Sequence, residues 1–185
     1  MGPRATDCCA SRCQNRGPTL SAVSDLDESI PFDEARAVAR ANRWREKCLV
    51  YVTRRPDEIL VLEHTDEYPT AGVQVPAGGV DPGEAPHTTA LRELAEETGL
   101  HLPGPATHLE SRIWPTDDAP SRIRHYYWLG APSTTPDRWS HRVSGTDGDR
   151  GMLFWLSFRS RIEHGLTPGY GWESGLGALA AALPT

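Results

Sequence analysis

The sequence has no run of about 18 apolar residues, so no stretch is long enough to cross a membrane as a helix. It also lacks an excess of positive charge: 19 Lys and Arg against 25 Asp and Glu leave a formal net charge of −6. That balance argues against gripping a nucleic-acid polymer by its backbone, which takes clustered cations. Lysine is nearly missing. Lys47 is the single one and every other basic residue is arginine, from which no function follows. The N-terminus has no apolar core of a secretory signal, so a cytoplasmic location is the expectation. Cysteine is scarce. Cys8, Cys9 and Cys13 lie together near the start, but no fourth ligand follows at zinc spacing. They read as part of a reduced, flexible tail, and Cys48 as a small core residue. No internal repeat is visible, and 185 residues suit one domain.

Residues 1–30 lack periodicity and read as a flexible N-terminal tail, leaving 31–185 as a single domain. Phe32 to Arg43 has helical spacing of Ala35, Val38 and Ala39, a surface for packing on the domain or for pairing two chains. Strands are expected at Lys47–Arg54 and Glu58–Glu63, joined as a hairpin by the Arg55-Pro56-Asp57 turn. Others are expected at Gly72–Val75, His108–Trp114, Ile123–Leu129 and Met152–Phe158, with a short one at His141–Val143. Ser160–His164 reads as the start of a helix and Leu176–Leu183 as a short terminal one.

The informative stretch is GGVDPGEAPHTTALRELAEETGL, residues 78–100. Asp81-Pro82-Gly83 signals a turn, Pro86 suits the first turn of a helix, and Gly99 is a left-handed stop. On a helical wheel His87, Ala90, Leu91, Leu94 and Ala95 share one side, which can face a core. Glu93, Glu96 and Glu97 share the other, with Arg92 beside them. Carboxylates three and four residues apart repel one another. A hard divalent cation with oxygen ligands, such as Mg²⁺, would relieve the repulsion and keep sites open for a phosphate.

The spacing Gly78-x5-Glu84-x7-Arg92-Glu93-Leu94-x-Glu96-Glu97-x-Gly99-Leu100 matches the Nudix box without a gap. The chain therefore resembles the Nudix hydrolase superfamily. That resemblance implies an α/β fold, an α/β/α sandwich with a mixed β-sheet and a loop–helix–loop catalytic motif. It implies Mg²⁺, with Mn²⁺ as a substitute, held by Glu93, Glu96, Glu97 and the Gly78 carbonyl. It gives Glu93 as a candidate general base, Glu97 as catalytic, Arg92 as the residue orienting a box glutamate, and Glu84 as a hydrogen-bonding support. The reaction implied is hydrolysis of a phosphoanhydride in a small nucleoside diphosphate derivative. Pro115, 15 residues after Leu100, leans toward a nucleoside diphosphate sugar such as ADP-ribose. A nucleoside triphosphate, a dinucleoside polyphosphate, a prenyl diphosphate and a non-catalytic sensing module stay open. Asp117, Asp118, Asp147 and Asp149 are candidates for a further ligand or base. Arg122 and Arg124 could clamp phosphate. Trp114, Tyr126 and Trp139 could stack on a base or sugar.

Overall fold

The computed structural model describes residues 29–65, 70–115, 122–145 and 148–184. The three clustered cysteines, most of the expected tail, Asp117, Asp118 and Asp147 lie outside them. The elements are β1 (Ser29–Ile30), α1 (Phe32–Asn42), β2 (Arg45–Thr53), β3 (Glu58–His64), β4 (Val73–Gln74) and β5 (Ala77–Gly79). They continue as α2 (Pro86–Thr98), β6 (Thr107–Trp114), β7 (Arg122–Gly130), β8 (Arg138–Arg142), β9 (Leu153–Ser160) and α3 (Leu176–Ala182).

Two sheets form, in the orders β1-β6-β7-β2-β5 and β4-β3-β9-β8. β2 and β7 run parallel and the other pairs antiparallel, so the first sheet is mixed. Alternation along β2 sends Cys48, Val50 and Val52 to one face, packed with Ala90 and Leu94 of α2. Leu49 and Tyr51 go to the other, with Trp172 and Leu179 of the C-terminal region. On the α2 side α1 sets Ala35, Val38 and Ala39 against Ile113 and Ile123. Helices thus cover both faces of the β layer, which is the expected sandwich.

Three expectations are corrected. β2 and β3 are not a hairpin, because they pair in different sheets. The Arg55-Pro56-Asp57 turn is a corner between layers, tied by Arg54, whose Nε and Nη2 donate to Glu58 at 2.7 and 3.0 Å. No helix starts at Ser160; β9 runs to that residue and bends follow. The chain also enters the sheet earlier than the tail boundary implies, since Ser29 and Ile30 pair with β6.

The segment after β9 is fastened to the sheet by strand tyrosines. Tyr51 Oη donates to the Trp172 carbonyl at 2.8 Å and accepts the Gly175 N–H at 3.0 Å. Tyr126 Oη donates to the Gly171 carbonyl at 2.9 Å. Tyr51→Phe strands a buried carbonyl and a buried N–H. It is expected to cost about 1–3 kcal/mol in urea unfolding, with an unchanged slope.

Candidate active site

The 78–100 stretch folds as turn, helix and stop. β5 runs antiparallel to β2, with Gly78 opposite Cys48 and Gly79 opposite Lys47. The chain turns through 81–84 and enters α2 with Pro86 in its first turn. The Cys48 thiol donates to the Pro86 carbonyl at 3.1 Å, so this core cysteine also holds the helix start. Gly99 ends α2 at φ +74°, its N–H on the Ala95 carbonyl at 2.9 Å.

α2 buries a different stripe from the one the wheel predicts. Ala90 and Leu94 are in the core as expected, but His87 is exposed, and Glu93 and Glu97 are only 3% and 7% exposed. Those two glutamates point under the glycine turn. A Cβ on Gly78 would lie 1.8 Å from Glu93 Cδ, so only glycine lets β5 cross there. Glu97 Oε2 accepts the Ala77 N–H at 2.9 Å. Glu96 is half-buried beneath the β8–β9 loop, where a Cβ on Gly145 would lie 2.3 Å from its Oε2.

Arg92 is the hub. Its Nε and Nη2 grip Glu84 at 3.0 and 2.9 Å, Nη2 also donates to the Gly79 carbonyl at 3.0 Å, and Nη1 reaches Glu93 at 2.7 Å. Glu96 is a longer partner at 3.4 Å. The guanidinium holds the Glu84 carboxyl down at about 2, helped by Thr89 Oγ1, which donates to Glu84 at 2.7 Å. Arg92 thus ties the turn to the helix and aims Glu93. Arg92→Gln leaves Glu84 and Glu93 short of donors, and hydrolysis is expected to fall about tenfold to hundredfold in a steady-state assay.

A cleft of about 140 Å³ is lined by Lys47, Ala77, Gly78, Gly79, Glu93, Glu96, Glu97, Val143, Gly145 and Asp149. Asp149 therefore joins the box residues from the far loop. Among the described residues no three acidic, histidine or cysteine side chains yet converge as a ligand set. The donor chemistry nonetheless fits a hard divalent cation: carboxylates crowd a small opening beside a glycine turn that backbone oxygens and a phosphate can approach. Burial, reinforced by the neighbouring Glu93, pushes the Glu97 carboxyl from 4.5 up to about 8.

Without metal, folded Glu97 keeps a proton that the unfolded chain loses above about 4.5, so the contribution of this group to stability falls as pH rises from 4.5 to about 8. His64, His108 and His125, which burial holds below their usual range, contribute in the opposite direction. A cation must displace the Glu97 proton. Mn²⁺ affinity in a calorimetric titration is therefore expected to rise between pH 6 and 8.5, with proton release on binding.

The other candidates separate. Arg122 lines a neighbouring cavity. Arg124 is buried, its guanidinium carbon 3.9 Å from the Trp114 ring centre, so that ring already carries a cation. Tyr126 is in the core. Trp139 Nε1 donates to the Thr98 carbonyl at 2.8 Å, fastening the end of α2. Sequence reasoning missed Lys47 as a cleft residue, because only the β2–β5 pairing brings it over Gly79.

The NUDIX domain profile matches residues 43–160. The RNA pyrophosphohydrolase of Cereibacter sphaeroides is 37% identical over 110 residues, covering 57% of this chain and 65% of that protein. That of Azorhizobium caulinodans is 35% identical over 127 residues, covering 68% and 70%. The shared region thus spans about two thirds of these relatives' length. Two solved structures share the fold. A MutT NUDIX hydrolase from Burkholderia pseudomallei has TM-score 0.55 and 21% identity over 72% of this chain and 96% of its own. A NUDIX hydrolase from Nitrosomonas europaea has TM-score 0.53 and 18% identity over 75% and 89%. With its box intact, its glutamates gathered under the glycine turn and its α/β/α layers in place, the chain belongs to the NUDIX domain family.

Proposed function

We propose that the protein hydrolyses a phosphoanhydride at the end of a polyphosphorylated nucleotide or RNA, using a divalent cation at the α2 cleft. The observation that carries this is the burial of Glu93 and Glu97 beneath Gly78, next to Glu96 and Asp149 in one small opening. Mg²⁺, or Mn²⁺ in its place, bound by Glu93, Glu96, Glu97 and the Gly78 carbonyl, would supply charge neutralisation and an acidified water. Arg92 keeps Glu93 directed at the cleft, where it or Asp149 accepts the water proton. Glu84 keeps Arg92 in place. Arg122 and Arg124 support phosphate binding, and Trp114 supports Arg124.

The curated relatives are RNA pyrophosphohydrolases. In RNA, internal linkages are phosphodiesters, so a pyrophosphate bond lies in a terminal polyphosphate. The net charge of −6 weighs against holding the polymer's length, not its end. A second reading, a nucleoside diphosphate sugar such as ADP-ribose, rests on Pro115 alone.

The test is product analysis with a 5′-triphosphorylated RNA oligomer, nucleoside triphosphates, dinucleoside polyphosphates, prenyl diphosphates and ADP-ribose, each with Mg²⁺, Mn²⁺ or EDTA. Release of pyrophosphate or phosphate from the RNA end, abolished by EDTA, is expected. Preferential cleavage of ADP-ribose to AMP would favour the second reading. Tight nucleotide binding without cleavage of any compound would point to a sensing module.

A further inference from the structure

The parallel register of β2 and β7 sets Arg45 opposite Arg122 and Lys47 opposite Arg124. Residues directly across a ladder share a face, and this one continues into Leu49, Tyr51 and Tyr126. Four cations therefore stand on two adjacent strands, where like charges placed opposite one another repel. Among the described residues none of the four has a carboxylate within the 4.0 Å of an ion pair. Glu46, which also borders the patch, is already taken, by Arg36 Nε and by His125 Nε2, each at 3.0 Å.

Aromatic rings support the inner pair instead. Arg124 lies 3.9 Å from the Trp114 ring centre and 5.7 Å from that of Trp172, and Lys47 Nζ lies 5.3 Å from Trp172. A π face attracts a cation without neutralising it, so Lys47, which reaches the cavity, keeps its charge for a ligand, and Arg124 adds its field from beneath. Arg124 is 6% exposed and its Nε has no partner. A cavity of about 170 Å³ is lined by Arg45, Glu46, Lys47, Gly79 and Arg122. It shares Lys47 and Gly79 with the acidic cleft.

Trp172 comes from outside the matched domain, which ends at residue 160. Its segment is held by Tyr51 and Tyr126, as above, and by Arg124, which donates to the Tyr170 carbonyl. Gly171 at φ +66° lets the segment pass close: a Cβ there would lie 2.4 Å from Trp114 and 2.7 Å from Arg124.

We infer that Lys47, Arg45 and Arg122, backed by the buried Arg124 and by Trp172 and Trp114, form an anion subsite completed by the C-terminal segment. It takes a phosphoryl group adjoining the bond cleaved. The inference rests on the hydrolase reading and sharpens it. A terminal polyphosphate has a phosphoryl group to place there, whereas both phosphates of a nucleoside diphosphate sugar belong to the cleaved linkage.

The test uses the full chain and inorganic tripolyphosphate in EDTA, followed by calorimetry, so that binding is read without turnover. Wild type should bind. Lys47→Gln and Trp172→Leu should each weaken binding about tenfold or more, while Lys47→Arg should stay within about threefold. On the triphosphorylated substrate with Mg²⁺ the loss should appear mainly in KM, and Lys47→Arg should largely keep the wild-type value. Thermal unfolding checks both variants, and Lys47→Arg, which keeps the charge at the same partly buried position, separates lost charge from lost packing. Equal binding by wild type and Lys47→Gln, no binding by wild type, or a loss confined to kcat would each overturn the subsite. Binding lost in Lys47→Gln would uphold it even if no substrate were cleaved, a result that would count against the hydrolase reading instead.

Discussion

Glu97→Gln is expected to lower hydrolysis by about a thousandfold or more while the protein stays folded. The substitution is nearly isosteric, and the amide oxygen can still accept the Ala77 N–H now held by Oε2 at 2.9 Å. What disappears is the capacity to present a negative charge to a cation in a buried cleft. Burial already strains that charge, pushing the carboxyl up to about 8, so its removal should leave the metal-free protein as stable or more so above pH 7. Stability and activity therefore move apart. A merely structural glutamate would lose both or neither. Circular dichroism and thermal unfolding establish the fold, and steady-state kinetics establish the rate. Turnover near that of wild type would remove Glu97 from the proposed cation site.

Gly78→Ala is expected to cost about a hundredfold or more in activity, through space rather than charge. Its new Cβ would lie 1.9 and 2.2 Å from the Glu93 carboxylate oxygens. Either β5 retreats from α2, straining its pairing with β2, or Glu93 leaves its contact with Arg92 at 2.7 Å. Glu93 is 3% exposed and has little room to move, so both stability and rate should fall. Gly145→Ala is the useful contrast. Its Cβ would meet Glu96 Oε2 at 2.3 Å, but Glu96 is half-buried and can swing aside. A smaller loss is expected there, and the ratio of the two effects measures how rigidly each glutamate is held.

The box could be read from the sequence because its chemistry is local. Pro86, Gly99 and the spacing of Glu93, Glu96 and Glu97 announce a capped helix with gathered acids. Which of those acids are buried was not local. The wheel opposes Ala90 and Leu94 to the glutamates, but β5 crosses α2 on the acidic side, so Glu93 and Glu97 are covered as well. The strands were legible as elements from their apolar runs, and their partners were not. Arg55-Pro56-Asp57 suits a hairpin and a corner between sheets equally, and only the pairing of β2 with β7 and of β3 with β9 decides. For the same reason Lys47 and Arg124 look unrelated in the sequence. Nothing short of the parallel register brings them side by side, or lays Trp172 beneath them.

The most direct test is a Mn²⁺ titration of the full chain at pH 8, followed by electron paramagnetic resonance, for wild type, Glu93→Gln and Glu97→Gln. Bound Mn²⁺ in wild type, weakened about tenfold or more by either substitution and strengthened by a polyphosphate ligand, is the expected result. No Mn²⁺ bound to wild type, even with tripolyphosphate present, or equal binding by all three proteins, would contradict a cation held by the buried glutamates of α2.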